Sequence, residues 1–257
     1  MNMSAVKNVA LVLLATTAWR AEAAPAPEVP RSEIHAGVRA MQPGDIEGDI
    51  VMEGHHETGR TATPDPRKLW PGGVIPYNID YALLTPENME IIKGAMEHIQ
   101  QETCVRFVKR TDHFDYIHLV SQEGCYSYLG RIGGRQPVSL GHGCLYRGTV
   151  THELMHAVGF YHEHTHPDRD RYIEVFPKNI IKEFLPQFQK LEPEDARLLT
   201  PFDYDSVMLY GSNSFTLNPN RPSMLAKDGS RLKEVYDKYG PSSADFRRIS
   251  SLYKCRS

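Results

Sequence analysis

The stretch His152-Glu153-Leu154-Met155-His156-Ala157-Val158-Gly159-Phe160-Tyr161-His162 decides how this chain reads. On a helix, His152 and His156 lie four residues apart, so both imidazoles leave the same face. Two such nitrogens can hold one Zn²⁺ at about 2.0–2.1 Å. Glu153 stands beside the first ligand and can reach an attacking water without binding the metal itself. Gly159 follows His156, and glycine takes positive φ at little cost, so the helix can stop there and the chain can turn. That turn can return His162 to the metal as a third ligand. Three protein ligands leave one position open, which marks a catalytic zinc. A bare H-x-x-x-H pair is weak, because surface histidines usually explain it. The glycine and the third histidine at fixed offsets make the stretch specific. His164 and His166 follow closely, but the Gly-x-x-His spacing selects His162, and the other two read as surface or cleft-rim residues.

The 257 residues carry a formal charge of −3 with 24% charged side chains, an ordinary globular balance. No basic excess points to nucleic acid, and no basic run points to a membrane surface. Lys7 precedes an apolar run from Val9 to Ala15, and Ala21-Glu22-Ala23 offers a small-residue cleavage site. Residues 1–23 therefore read as a secretory signal peptide; the run is too short to span a bilayer. The expected product is secreted and extracellular. On that route Cys104, Cys125, Cys144 and Cys255 are an even set suited to disulfides. Three pairings are open on arithmetic alone, and no pair has the C-x-x-C spacing of a cysteine zinc site.

Residues 24–60 are rich in Pro, Gly and charge with little periodicity, and read as a propeptide. Val74 to Ile79, Val105 to Lys109, Tyr116 to Val120 and Pro137 to Leu140 read as strands. Thr85-Pro86-Glu87 starts a helix, and Met89, Ile92, Met96 and Ile99 follow at helical spacing as core. Thr149 to Val158 is the expected zinc helix, and a short helix is expected near Lys178 to Phe184. A last helix capped by Ser242 or Ser243 presents Phe246, Ile249 and Tyr253. The whole reads as an α+β domain split by a cleft with the metal at its floor.

The string H-E-x-x-H-x-x-G-x-x-H resembles the metzincin zinc endopeptidases, and Gly159 to His164, with Glu163 after the third histidine, is similar to the astacin family in particular. Ser206-Val207-Met208-Leu209-Tyr210 resembles that family's Met-turn, with Leu209 where many members have His. Leu69 to Tyr77 is similar to the start of its catalytic domain. The resemblance implies an astacin-like peptidase domain over residues 61–257: a twisted mixed sheet and the zinc helix first, then an irregular half with a final helix, and a deep cleft between them. It implies one Zn²⁺ per chain, disulfides Cys104–Cys255 and Cys125–Cys144, and Met208 as a floor beneath the metal. Tyr210 is implied as a reversible extra ligand that can swing away and donate to the oxyanion. Mature chains would begin at Thr61 after a trypsin-like cut at Arg60, and Glu163 would receive the new amino group. Gly124 to Gly130 would form a rim strand that pairs antiparallel with an extended substrate. Ile46-Glu47-Gly48-Asp49 resembles the inhibitory Phe-x-Gly-Asp motif, so Asp49 would bind the zinc in a latent form. No EGF-like or CUB-like module is expected after Cys255.

The resulting expectation is a secreted, monomeric zinc endopeptidase acting on protein or peptide substrates and made as a zymogen. A catalytically inactive binding protein on the same scaffold would be free to lose Glu153, which is present. Another metzincin branch is opposed by Glu163 and Tyr210.

Overall fold

A computed structural model describes residues 46–47, 49–51, 62–63, 65–191 and 199–256. The expected signal peptide, the expected propeptide up to residue 45, and Arg60 and Thr61 lie outside the described residues.

Strands β1 (Ile46–Glu47), β2 (Ile50–Val51), β3 (Val74–Ile79), β4 (Arg106–Lys109), β5 (Tyr116–Val120), β6 (Cys125–Tyr128) and β7 (Arg135–Leu140) make one sheet in the order β1-β2-β6-β7-β5-β3-β4. The β3, β4, β5 and β7 strands run parallel, whereas β6 runs antiparallel to β7. Strand β6 is thus the rim of the sheet built by β3 to β7, and β2, from the segment expected to be a propeptide, is added to it in parallel.

Helix α1 (Pro86–Glu102) opens on Thr85, whose side chain accepts from the Asn88 amide, with Pro86 at the first position. This is the favoured start of a helix, because the cap meets an orphan amide and proline has none to lose. Its Ile92, Met96 and Ile99 are buried against Ile75, Ile117, Leu119 and Val138 of the sheet, while Met89 is only half-buried. Helix α2 (Arg147–Val158) is buried along almost its whole length in the same core through Leu154, Met155 and Val158. It begins two residues earlier than expected.

The second half is mostly irregular, with short 3₁₀ turns at Pro177–Asn179 and Lys182–Phe188 in place of one short helix. It has its own apolar cluster, which includes Ile173, Phe188, Phe202, Phe215 and Met224, and a two-stranded ladder of β8 (Ile173–Val175) and β9 (Met224–Ala226). Helix α3 (Ser243–Tyr253) closes the fold with a full capping box between Ser242 and Asp245.

Two disulfides staple these parts. Cys104–Cys255 joins the end of α1 to the residue beyond α3, and Cys125–Cys144 joins β6 to the loop before α2. In the chain-entropy account, closing loops of these lengths contributes on the order of 3–5 kcal/mol each.

Candidate active site

Helix α2 delivers His152 and His156 to one face, and its end delivers His162. Gly159 stops the helix at φ 122°, and its amide bonds back to the Met155 and His156 carbonyls. A side chain there would be strained by that φ and would bring a Cβ to 3.0 Å from the Thr63 methyl. The last helical carbonyls are met from outside: the Trp70 indole donates to Ala157 (2.8 Å), the Tyr253 hydroxyl to Val158 (2.7 Å) and the Gly130 amide to His156 (2.9 Å). These bonds satisfy orphan groups that would otherwise destabilise a buried helix end.

Nε2 of His152, His156 and His162 and the carboxylate of Asp49 lie within 4.8 Å of one another. Each of the first two rings is turned by a carbonyl. Nδ1 of His152 donates to Val207 O (2.8 Å), and Nδ1 of His156 donates to Phe160 O (2.6 Å). A carbonyl can only accept, so each Nδ1 carries the proton and each Nε2 presents its lone pair inward. Burial holds His156 down at about 4 and His162 below its ordinary value, which keeps both neutral, the form that binds metal. Nε2 of His162 lies 2.8 Å from Asp49 Oδ1, and neither atom has a well-aligned hydrogen-bond partner among the described residues. Asp49 is also 3.0 Å from His152 and 3.3 Å from His156. Three inward nitrogens and one carboxylate with unmet bonds fit a zinc ion, whose usual donors are nitrogen, sulfur and carboxylate oxygen.

Glu153 is 1% exposed, and its Oε2 has no hydrogen-bond partner among the described residues. Burial pushes its carboxyl well up, and the Asp49 charge adds to that. Tyr210 lies across the site, its ring 4.3 Å from that of His162. Its buried hydroxyl faces the Asp49 carboxylate, and burial, with that charge beside it, raises it well above the ordinary phenol value.

The turn from Ser206 to Leu209 is gripped at every carbonyl. Lys238 Nζ donates to Ser206 O (2.7 Å) and Leu209 O (2.6 Å), His152 donates to Val207 O, and the Glu163 amide donates to Met208 O (2.9 Å). Asp245 accepts from the Ser206 hydroxyl and the Val207 amide. Val207 and Met208 belong to the first core, Leu209 and Tyr210 to the second.

The family profile of the astacin peptidases matches residues 62–254. The chain belongs to the astacin family. It is 41% identical over 223 residues to high choriolytic enzyme 1 of Oryzias latipes, covering 82% of this chain and 78% of that one. It is 38% identical to the astacin-like metalloprotease toxin 1 of Loxosceles intermedia, over 82% of this chain and 81% of the toxin. The solved structure of high choriolytic enzyme 1, a hatching zinc protease, superposes with a TM-score of 0.65 at 38% identity, over 80% of this chain and 99% of that one. As an astacin the protein is a zinc metalloendopeptidase, with the α+β fold of the family. No helix among the described residues is long and apolar enough to cross a membrane.

Two expectations on this astacin's histidines need correction. His164 and His166 are buried, not on the surface or the cleft rim. His164 stacks on Tyr210 with centroids 4.5 Å apart, and its Nε2 faces Gln187 O at 3.0 Å. His166 accepts from the Asp168 amide and faces Phe202 edge-on. The apolar second half folds over this segment, which local spacing could not reveal.

Glu163 is buried and paired with Arg248 at 2.7 Å, and it also accepts from the Asp203 amide (2.7 Å). Burial pushes its carboxyl up to about 7, although the Arg248 charge and hydrogen bond pull the other way. Sequence reading missed Arg248, Asp245 and Lys238. Arg248→Met should strand Glu163 without its countercharge, and breaking a buried pair from one side costs roughly 3–5 kcal/mol. Urea unfolding of the variant checks this; an unchanged midpoint would mean that the pair adds nothing to the fold.

Proposed function

We propose that this protein is a secreted astacin held latent by Asp49 and released by a trypsin-like cut after Arg60. The observation that carries the reading is the Asp49 carboxylate facing all three imidazoles while β2 occupies the free edge of β6. The Ser127 amide donates to Asp49 O (2.8 Å), so backbone pairing holds the latch in place. A substrate antiparallel to β6 would run opposite to this propeptide strand. Its peptide bonds would then meet the catalytic groups in a different orientation from those of the propeptide.

In the released enzyme, His152, His156 and His162 would hold the zinc, which would supply a Lewis acid for the scissile carbonyl and the attacking water. Glu153 takes the proton of the attacking water and hands it to the leaving amine. Its carboxylate is buried beside the histidines, and its Oε2 has no hydrogen-bond partner among the described residues, so that oxygen is available to a water. Tyr210, whose buried hydroxyl is no longer faced by Asp49 once the propeptide is gone, donates to the developing oxyanion. Met208, buried in the first core, would form the floor beneath the metal. Action as a monomer is part of this reading. The mature chain would span residues 61–257, with residues 1–23 as signal and 24–60 as propeptide. In that product Glu163 is the acceptor for the Thr61 amino group.

The test is the uncut precursor carrying Asp49→Ala. A tethered carboxylate competes with water through its effective concentration, and the variant loses that competitor. It should hydrolyse a denatured protein substrate measurably before any cut, while the uncut wild type stays silent. An uncut variant as silent as the wild type would remove Asp49 from the latency mechanism.

A further inference from the structure

We propose that Leu129 and Tyr161 form a specificity pocket that selects a branched aliphatic side chain on the N-terminal side of the scissile bond. The proposal rests on the reading that substrate pairs with β6.

Leu129 (3% exposed) and Tyr161 (7%) belong to neither large core. They form a separate cluster whose third buried member is Ile50 (3%). The apolar cover of this pair thus comes from the propeptide and departs with it. Ile50 is the residue after Asp49 and pairs opposite Ser127. Side chains alternate along a strand, so Ile50, Ser127 and Leu129 share one face of the ladder. The other wall, Tyr161, immediately precedes His162. The pocket is therefore built between the rim strand and a metal-facing histidine, one residue along from the carboxylate that faces the three imidazoles.

Direction decides which substrate residue enters it. Asp49 marks the level of the reaction along β6, since its carbonyl accepts from Ser127. Leu129 lies beyond that level, past the C-terminal end of β6 at Tyr128. A strand antiparallel to β6 carries its N-terminal residues toward that end. The pocket thus receives the first or second residue before the scissile bond. An apolar pocket discriminates by size, and one methylene in such a site is worth roughly 10–200-fold in kcat/KM.

The test uses the mature, cut enzyme, which lacks Asp49 and so does not depend on the latch. Cleavage sites in a proteome-derived peptide library are profiled for the wild type, Leu129→Ala and Leu129→Phe. Zinc content and circular dichroism show whether each variant is folded. The wild type should enrich Ile, Leu or Val at one of the two positions before the cut. Leu129→Ala should lower kcat/KM about tenfold for peptides with Ile there, relative to matched peptides with Gly. Leu129→Phe, which fills the pocket and keeps its apolar character, should move the preference toward Ala and Gly. An aliphatic preference that both variants leave in place would overturn the proposal. So would a wild type with no preference before the cut, or with one only after it. Failure of latency would show separately, in the Asp49→Ala precursor.

Discussion

Glu153→Ala is expected to keep one zinc per chain and to lose nearly all peptidase activity. The side chain sits inside α2, where alanine is the best helix former, so the substitution leaves the helix intact. None of the three histidine nitrogens that face the common centre depends on Glu153; His152 and His156 are fixed by Val207 and Phe160. What is lost is the proton acceptor. General acid–base catalysis alone is worth roughly 10²–10⁴ in rate. The check is metal analysis beside turnover of a denatured protein substrate. Folded, zinc-loaded Glu153→Ala with wild-type turnover would take Glu153 out of the chemistry.

His162→Ala should behave differently and lose metal and activity together. Two ligands from one helix turn leave zinc without the third protein nitrogen that catalytic sites use. Removing a partner that only orients a ligand already costs about 10–100-fold in affinity, so removing a ligand should cost more. Metal content after dialysis is the measurement. One zinc per chain in this variant would point to another donor. His164 would be the first to examine, because it stacks on His162 at 5.0 Å and its Nδ1 has no partner among the described residues.

The metal-facing histidines were legible because all three fall within one short stretch whose geometry is local. Helical spacing fixes the first two, and a glycine fixes the return of the third. Asp49 is a different case. It meets His152 across 103 residues of chain, and nothing local ties them, so only the likeness of Ile46 to Asp49 to a known motif singled it out. The exposure of His164 and His166 was misread because burial there is decided by Phe188, Phe202 and Tyr210, which arrive from later in the chain. Arg248 did leave a trace. Asp245, Arg248, Ile249 and Leu252 follow the spacing of an apolar helix stripe, and two of the four are charged. Charges inside such a stripe signal a buried pair, because an unpaired buried charge is too costly to keep.

The grip on residues 206–209 falls on backbone atoms: four carbonyls and the Val207 amide, with the Ser206 hydroxyl as the one side-chain hold. Sequence drift at this turn is therefore free where it looks most constrained. Past Ser206, a residue there needs only to suit the apolar company on its own side, because what the neighbours hold at 207–209 is backbone. Leu209, fully enclosed in the second core, is held in this way by its carbonyl alone. The turn keeps its path while its side-chain chemistry is open to change.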